Sequence, residues 1–461
     1  MSERLFGTDG LRGVANVPPM TAEMALAIGR ATAHVCKRHN PHGPHRIVIG
    51  KDTRRSGYML ETALTAGICS MGVDVLLVGP MPTPGIAFIT RSMRADAGLV
   101  ISASHNPFQD NGIKIFSRNG YKLPDAEEDE IEALIRSGQL DGFRPTGAAI
   151  GRARRIDDAM GRYIVFCKDT VPEDVTFEGL KIVLDCANGA TYKVAPIIFW
   201  ELGAEVTAIH CEPDGTNIND RCGSQHTDDL AAKVRDMGAD IGLAFDGDGD
   251  RLIAVDEHGR EITGDHILYI CARQMQAEGR LRNHTVVGTV MSNFGLHAAL
   301  KELGIRLLCA KVGDRYVLEM MRAEQASLGG EASGHVIFLD HHTTGDGIIT
   351  ALQLLTTMCR TGKRLSELAA GLRMFPQKIV NVEVARKPPL ESLPSVAEAI
   401  RAAESELAGR GRVLVRYSGT QPLCRVMVEG PEEALVDRLA RQLAETVRAA
   451  TVAAEPTTAP Q

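Results

Sequence analysis

Lys181-Ile-Val-Leu-Asp185 is followed, across a helical stretch, by Leu202-Gly203-Ala-Glu-Val-Thr-Ala-Ile209. An apolar strand, a helix that ends at glycine and a second strand form the unit that a parallel β–α–β crossover requires. The same pattern recurs over residues 46–78 and over residues 285–308. One copy is common in any α/β protein, but three copies about one hundred residues or more apart predict three related α/β domains.

The end of the chain has a different pattern. Residues 412–417 and 423–428 predict two strands that bracket a Ser-Gly-Thr loop, and an amphipathic helix follows from Pro431. The Pro-rich stretch 386–394 is interpreted as a surface loop of the same domain. The expected fold class is therefore α/β, with three related α/β domains of mixed sheets plus a smaller C-terminal α+β domain around a central cleft.

The repeats and the change of pattern also predict where the domains begin and end. The Ala/Thr/Pro-rich composition of the last dozen residues predicts a disordered tail. The expected boundaries are residues 1–152 for domain I, 153–256 for domain II, 257–370 for domain III, 371–449 for domain IV and 450–461 for the tail.

Composition and charge restrict the possible partners and location. The 51 Lys and Arg residues against 58 Asp and Glu give a net charge of −7, which disfavours binding to nucleic acid or to an anionic membrane. Ten cysteines without a C-x-x-C pair indicate small buried side chains in a reducing compartment. Because neither a membrane span nor a signal peptide is evident, the cytoplasm is the expected location.

Three carboxylates directly follow the apolar run Ile241–Phe245, at Asp246, Asp248 and Asp250. A strand presents alternate residues on one side, and the glycines between these aspartates let the backbone curl so that all three converge. So much negative charge requires a cation, and Mg²⁺ prefers a few carboxylates together with a phosphate oxygen. A calcium-binding EF-hand is disfavoured, because Arg251 occupies the position where that loop needs glycine. The sequence predicts a catalytic magnesium site, with a solvated acidic turn as the alternative.

A second polar loop follows the apolar run that begins at Ala97, and it reads Ser102-Ala-Ser104-His105-Asn106-Pro107. Ligands of α/β sheets bind at the carboxyl ends of strands, so we interpret one serine as a nucleophile or phosphate carrier. An ordinary turn is the alternative, since Ser, Asn and Pro dominate turns. These residues alone do not distinguish Ser102 from Ser104.

The third domain contains a loop with candidate ligands for a sugar. Glu331 and Ser333 could hydrogen-bond sugar hydroxyls, and His335 could act as an acid or a base. A polar loop without a function is the alternative. His341 and His342 lack a third metal ligand nearby and are predicted to be surface residues.

The fourth domain contains a candidate phosphate cradle. Guanidiniums, hydroxyls and glycine-exposed N–H groups suit a phosphate, although the two arginines could also be ordinary surface charges of a strand. The residues of this cradle are Arg416, Ser418, Gly419, Thr420 and Arg425.

Taken together, these loops resemble the α-D-phosphohexomutase superfamily. The resemblance extends from Phe6 to about Gly430 and includes the N-terminal motif Phe6-Gly-Thr-Asp-Gly-Leu-Arg12-Gly13, with every motif in the family's order. That N-terminal motif and Lys311-Val-Gly-Asp-Arg-Tyr-Val317 are similar to the glucosamine branch rather than to the glucose and mannose branch.

The resemblance implies a role for each candidate residue. It implies that Ser104 carries a phosphate, and that the three aspartates hold Mg²⁺ together with an oxygen of that phosphate. Acid–base and charge-stabilising roles are implied for Arg12, Lys114 and His335, and Arg251 would lie at the same site and bind substrate. Sugar contacts are implied for Glu331 and Ser333, and the cradle of domain IV would bind the phosphate that is not transferred.

The implied reaction converts glucosamine 6-phosphate into glucosamine 1-phosphate through a 1,6-bisphosphate, which would supply amino-sugar nucleotide (UDP-N-acetylglucosamine) and cell-wall precursor synthesis. Gln421 departs from the Ser-Gly-Thr-Glu-Pro pattern of the family, which affects the expected grip on the distal phosphate. A homodimer is a candidate assembly. The alternatives are a phosphoglucomutase or phosphomannomutase, a metal-dependent phosphatase, and a non-catalytic protein that binds sugar phosphates.

Overall fold

The fold is that of a computed structural model, which describes residues 4–7, 9–40, 43–384, 386–418 and 422–452. Contacts divide the chain into two compact units. The first unit runs to Met291 and includes Gly304–Gly371, and the second combines Ser292–Leu303 with the chain from Leu372 onward. Among the described helices, none combines the length and the apolar character needed to cross a bilayer.

The first sheet of unit one has six strands. They are β1 (Leu11–Val14), β2 (Arg46–Lys51), β3 (Asp74–Pro80), β4 (Ala97–Ile101), β5 (Asp110–Ser117) and β6 (Ala153–Arg155). Their order is β1-β5-β4-β2-β3-β6, with β4, β2, β3 and β6 parallel and with β1 and β5 joined through antiparallel pairs. The helices of this region are α1 (Ala22–His39), α2 (Gly57–Ser70), α3 (Thr83–Ser92), α4 (Asp125–Ser137) and α5 (Ala159–Lys168).

The core of this sheet has two sides, as a strand covered on both faces requires. Ile47 and Ile49 of β2 belong to the cluster that contains the buried side chains of α1 and α2. Val48, which points the opposite way, packs with Ile86 and Ile89 of α3. The continuous apolar run of β2 is therefore explained by burial on both faces.

The second and third sheets repeat the central part of the first. The second has strands β7 (Lys181–Asp185), β8 (Glu205–Ile209), β9 (Ile241–Phe245), β10 (Leu252–Asp256) and β11 (Glu261–Ile262), in the order β11-β10-β9-β7-β8. The third has β12 (Thr285–Thr289), β13 (Arg306–Ala310), β14 (Leu328–Gly330) and β15 (Val336–Phe338), in the order β13-β12-β14-β15. Their helices in unit one are α6 (Val194–Glu201), α7 (Asp228–Met237), α8 (Gly264–Ala277), α10 (Asp314–Ala323), α11 (Gly347–Thr361) and α12 (Leu365–Ala369).

The three predicted crossovers are confirmed. In each repeat the two predicted strands pair in parallel, as β2 with β3, β7 with β8 and β12 with β13. The glycine before the second strand has a positive φ in every copy, which is +75° at Gly72, +99° at Gly203 and +69° at Gly304. A residue with a side chain adopts this left-handed conformation only at a cost, which explains why all three turns use glycine.

Each sheet presents one polar loop in the same topological position. The loops over residues 102–109, 246–251 and 331–335 each connect a strand that has a parallel partner to an antiparallel neighbour. The strand pairs are β4 with β5, β9 with β10 and β14 with β15. The predicted fold class of three related α/β domains with mixed sheets is thus confirmed.

Unit two contains a three-stranded antiparallel sheet. Its strands are β16 (Gln377–Glu383), β17 (Arg412–Tyr417) and β18 (Leu423–Glu429), in the order β16-β18-β17, and its helices are α9 (Phe294–Glu302), α13 (Pro394–Leu407) and α14 (Glu433–Val452). Val426 and Val428 pack with Val436 and Leu443 of α14, so the predicted smaller α+β domain is confirmed. Helix α14 includes residues 450–452 of the predicted tail, and the rest of that tail lies outside the described residues.

Candidate active site

The loop after β4 places Ser104 against the acidic loop after β9. Oγ of Ser104 donates a hydrogen bond of 2.6 Å to Oδ2 of Asp246, and the side chain is buried. Ser102 has a different environment, because its Oγ donates to Oδ2 of Asp52 at 2.6 Å and accepts from the N–H of Ser104 at 2.9 Å. Of the two serines that the sequence left open, only Ser104 bonds to the aspartate cluster.

The three aspartates converge as their spacing predicts. One ligand atom from each of Asp246, Asp248 and Asp250 lies within 4.8 Å of the others, and all three residues are buried. Burial raises the pKa of Asp246 well above its usual value, and the charges of Asp250 and Asp248 raise it further. Within the described residues, Oδ1 of Asp248 is buried without a hydrogen-bond partner. Oδ1 of Asp250 likewise has no hydrogen-bond partner there. Buried, mutually repelling carboxylate oxygens with two such atoms fit a hard divalent cation.

Lys114 lies beside this cluster as a buried cation. Its Nζ is 3.0 Å from Oδ2 of Asp248 and 3.3 Å from Oδ2 of Asp9. Burial alone lowers the pKa of Lys114, but the surrounding carboxylates outweigh it and the pKa is raised. Asp9 also pairs with Arg12, and the charges of Asp9, Asp248 and Asp250 raise the pKa of Arg12. Arg12 and Lys114 therefore remain charged next to the aspartates.

His335 and Arg251 approach the cluster at Asp250. Nδ1 of His335 is 3.6 Å from Oδ1 of Asp250, and Nε of Arg251 is 3.7 Å from the same oxygen. Burial lowers the pKa of His335, but Asp250 and Asp314 raise it more, so that it reaches about 9. This raised pKa favours the protonated imidazole at neutral pH.

The loop after β14 contributes two oxygen-bearing side chains. Oε1 of Glu331 accepts a hydrogen bond of 3.0 Å from the N–H of Gly313. Oγ of Ser333 is buried and has no hydrogen-bond partner among the residues that the structure describes. A buried hydroxyl without a partner is costly, so it is available for a ligand. Gly313 belongs to the motif 311–317, which is therefore connected to this loop.

The predicted phosphate cradle lies in unit two. Arg416 of β17 and Arg425 of β18 face each other across the antiparallel pair, and burial with the charge of Arg425 lowers the pKa of Arg416. Like charges in directly opposed positions of a sheet are unfavourable unless an anion lies between them. Nζ of Lys387 donates to the carbonyl of Ser418 at 2.6 Å, which adds a third cation to this edge. Gly419, Thr420 and Gln421 lie outside the described residues.

Several residues that the sequence did not indicate support the site. Lys122 pairs with both Asp9 and Asp314, and Thr83 donates a hydrogen bond of 2.7 Å to Oδ2 of Asp248. Asp9 and Asp314 lie inside the N-terminal motif and the motif 311–317, so the resemblance of these motifs to the family could have indicated both residues. Lys122 and Thr83 carry no such local signal, since their partners are more than one hundred residues away.

The interpretation of His342 as a surface residue was wrong. Its side chain is buried, with Nε2 2.9 Å from the carbonyl of Pro84, and Nδ1 accepts from the N–H of Thr343 at 2.8 Å. Burial and the nearby charge of Arg91 lower the pKa of His342 to about 4. A buried neutral imidazole with both nitrogens bonded is a structural residue rather than a metal ligand.

Sequence models of one family match all four predicted regions. They describe phosphoglucomutase/phosphomannomutase α/β/α domain I over residues 3–141, domain II over residues 162–259, domain III over residues 263–375 and the C-terminal domain over residues 379–446.

Curated relatives and solved structures are similar over nearly the whole chain. Phosphoglucosamine mutase of Syntrophobacter fumaroxidans is 60% identical and covers 97% of this chain and 99% of its own, and that of Syntrophus aciditrophicus is 59% identical and covers 96% and 99%. A phosphoglucomutase/phosphomannomutase family protein from Burkholderia thailandensis has a TM-score of 0.80 at 26% identity, covering 99% of each chain. Aspergillus fumigatus N-acetylphosphoglucosamine mutase, solved with GlcNAc-6P and magnesium, shares the fold, with a TM-score of 0.69 at 18% identity over 97% of this chain and 96% of its own.

Proposed function

The chain belongs to the phosphoglucosamine mutase family, and on that premise we propose that it interconverts glucosamine 6-phosphate and glucosamine 1-phosphate. The observation that carries this proposal is the hydrogen bond from Oγ of Ser104 to Asp246. It joins a nucleophile to a buried cluster of three carboxylates, with the cationic Lys114 beside it. A protein that only binds a sugar phosphate has no need of such a nucleophile.

Ser104 would work as a phosphoserine. In the first transfer, the bond between phosphorus and Oγ of Ser104 breaks, and a bond forms from phosphorus to the free hydroxyl of the sugar. That hydroxyl loses one proton and the departing Oγ of Ser104 gains one, so the step is balanced and the product is the 1,6-bisphosphate. In the second transfer, Oγ of Ser104 loses its proton and attacks the phosphorus at the other end of the bisphosphate. The bond from that phosphorus to the sugar oxygen breaks and this oxygen takes up a proton, which restores the phosphoserine and releases the isomeric monophosphate.

Lys114, Arg12, Arg251 and His335 would act on the transferring group. Such transfers depend mainly on positioned positive charge, because negative charge is spread over the phosphoryl oxygens. The surrounding carboxylates raise the pKa of both Lys114 and His335, which favours their protonated forms. They would therefore stabilise the phosphoryl oxygens and return a proton to Oγ of Ser104 when it leaves.

Asp246, Asp248 and Asp250 would hold Mg²⁺. The unpaired Oδ1 of Asp248 and the close approach of the three carboxylates support a small ion that takes oxygen ligands. The chemistry that the ion supplies when bound is neutralisation of charge on the phosphoryl oxygens.

Glu331 and Ser333 would bind the hydroxyls of the sugar, and Ser333 has the unpaired hydroxyl that this role needs. The opposed arginines of unit two support binding of the phosphate that is not transferred. The residues of that grip would be Arg416, Ser418, Gly419, Thr420 and Arg425. A relative bound to glucose 1,6-bisphosphate supports a sugar bisphosphate as the intermediate.

The product would feed the synthesis of amino-sugar nucleotides and cell-wall precursors. A cytoplasmic location is consistent with the cysteines, since all ten lie in the described residues and are free thiols. The homodimer and the domain boundaries given above stay predictions.

Turnover of glucosamine 6-phosphate beside glucose 6-phosphate and mannose 6-phosphate tests the proposal. The assay contains Mg²⁺ and a trace of glucose 1,6-bisphosphate, and Ser104→Ala is the control. We expect preference for the amino sugar, activity abolished in Ser104→Ala, and one phosphate on the wild-type protein by intact mass. Preference for glucose or mannose would assign the other branch, and no turnover with an unphosphorylated Ser104 would contradict the proposal.

A further inference from the structure

The backbone of the nucleophile loop adopts a conformation that its residues do not favour. Ser104 has a φ of +52°, in the left-handed region that residues with a side chain rarely occupy. Its side chain is also buried, so the loop has little freedom to relax. Such a conformation persists only when the surrounding structure enforces it, and it is most common at functional sites.

Arg54 supplies most of that enforcement. This side chain is fully buried, and each of its five N–H donors has an acceptor within hydrogen-bond reach. Nη2 donates to the carbonyls of Ser104 at 2.9 Å and Asn106 at 2.8 Å. Nη1 donates to the carbonyl of Asp110 at 3.0 Å and also to that of Pro107.

The remaining donor of Arg54 connects the loop to an acidic anchor. Nε donates to Oδ2 of Asp52 at 2.8 Å, and the same oxygen accepts from Oγ of Ser102. Because Oγ of Ser102 in turn accepts from the N–H of Ser104, the amide and the carbonyl of the nucleophile are both fixed through Asp52 and Arg54.

Asn219 binds the same loop from the segment between β8 and α7. Its Nδ2 donates to the carbonyls of Ser104 at 2.9 Å and Asn106 at 3.0 Å, which are the two carbonyls that Nη2 of Arg54 also contacts. Asn219 itself has a φ of +57°, a conformation that asparagine tolerates better than most residues. The guanidinium of Arg54 and the side-chain amide of Asn219, which are distant in the chain, thus bind the same turn.

We propose that Arg54 and Asn219 are positioning residues, which fix the backbone of Ser104 so that its Oγ points at Asp246 in both phosphoryl transfers. This inference rests on the proposed function. Neither side chain bonds Oγ itself, so both act through the loop. A buried guanidinium bonded entirely to a carboxylate and four carbonyls is costly to desolvate, and folding a turn does not require one. Exact placement of a nucleophile explains why that cost is tolerated, since a misplacement of about 1 Å lowers a rate about 100-fold.

Arg54→Lys is the first test, with Arg55→Lys as the matched control. Lysine keeps the charge beside Asp52 but cannot reach four carbonyls, whereas the neighbouring Arg55 has an exposed side chain. We expect kcat to fall between about tenfold and about 100-fold with KM within about twofold, and Arg55→Lys to match the wild type. The rate at which glucose 1,6-bisphosphate phosphorylates the dephosphorylated Ser104, followed by intact mass, should fall by a similar factor.

Asn219→Gly is the second test, and it decides the matter if Arg54→Lys does not fold. Glycine keeps the positive φ accessible and removes only the two hydrogen bonds, so the fold is preserved. Hydrogen–deuterium exchange at residues 103–106 should accelerate in both variants, whether or not the protein turns over substrate.

Three outcomes are distinguishable. Wild-type kcat and wild-type exchange in both variants would overturn the inference. A lower melting temperature with wild-type kcat at temperatures where the variants are folded would make these residues merely structural, which also overturns it. Absence of turnover in the wild type and in Arg55→Lys would overturn the proposed function, and the exchange measurement would still decide whether Arg54 and Asn219 hold the loop.

Discussion

Single residues of this protein owe their chemistry to burial and to the charges around them. Burial lowers the pKa of both His335 and His342, but the carboxylates of Asp250 and Asp314 reverse the shift at His335 only. One histidine is therefore a cation beside the candidate active site, and the other is a neutral hydrogen-bonding residue of the core. Local sequence does not give this difference, because the carboxylate of Asp250 that raises the pKa of His335 is distant in the chain, as is Pro84, whose carbonyl lies against His342.

The buried neutral His342 should make the protein less stable in mild acid. Its pKa is about 4 in the folded chain and about 6.5 in an unfolded one, so the unfolded state binds the proton first. The stabilising effect is complete above pH 6.5 and is lost as the pH falls towards 4. Between pH 8 and pH 5 this linkage removes about 2 kcal/mol from the free energy of unfolding.

Urea unfolding at the two pH values, with His342→Gln beside the wild type, checks this. A glutamine amide can still donate to the carbonyl of Pro84 but does not titrate, so the variant should lose about 2 kcal/mol less than the wild type. The exposed His226 provides the control His226→Gln, which should follow the wild-type profile. Equal losses in wild type and His342→Gln would refute the assignment.

At the scale of elements, the loop after β4, which contains Ser104, and the loop after β9, which contains the three aspartates, meet at Gly247. A Cβ at this position would lie 2.6 Å from the carbonyl oxygen of Ser104 and 2.7 Å from Nδ2 of Asn219. Both distances are shorter than real contacts of a Cβ atom. The close approach of the loops after β4 and β9 is therefore possible only because residue 247 has no side chain.

Gly247→Ala should separate the two loops. Since overpacking of this kind typically costs about 1–3 kcal/mol, we expect a lower melting temperature together with a loss of kcat of about tenfold or more. Gly161→Ala is the control, because Gly161 lies in α5 and a Cβ added there would have no other atom within 4 Å. This variant should be slightly more stable than the wild type. Wild-type kcat in Gly247→Ala would show that the contact between the loops has no bearing on the chemistry.

Sequence patterns predicted elements better than they predicted contacts. The strands, the crossover glycines and the polar loops at Ser104, Asp246 and Glu331 all follow from local periodicity and turn chemistry. The contacts of Arg54, Asn219 and Lys122 do not follow from local patterns. Each of these residues bonds to a partner 50 or more residues away in the chain, and no local pattern indicates that partner. The residues of the loop alone did not distinguish Ser104 from Ser102 for the same reason, since the hydrogen bond that separates them is made to the distant Asp246.

At the scale of the whole molecule, the aspartate cluster links metal binding to stability. Three buried carboxylates repel one another, so an ion that binds only the folded chain should stabilise it. At a Mg²⁺ concentration of one hundred times the Kd, the gain is about 2.7 kcal/mol. Thermal unfolding with MgCl₂, compared with KCl at equal ionic strength, measures this gain.

Asp248→Asn is the variant that tests the link. The amide oxygen still accepts from Thr83 and Lys114, so the fold is kept while the ion loses a charged ligand. We expect the Mg²⁺-dependent rise in melting temperature to shrink and kcat to fall about 100-fold. Full activity or an undiminished response to Mg²⁺ in Asp248→Asn would contradict the assignment of the metal.

The repeated position of the polar loops has a consequence for how such a protein can change over time. The same position, between a parallel strand and its antiparallel neighbour, holds Ser104 in the first sheet and the acidic cluster in the second. The third copy holds Glu331 and Ser333. Because each loop is a separate stretch of chain, mutation can alter the loop with Glu331 and Ser333 and leave the other two intact. The three loops are therefore separate parts of one protein that single substitutions can change independently.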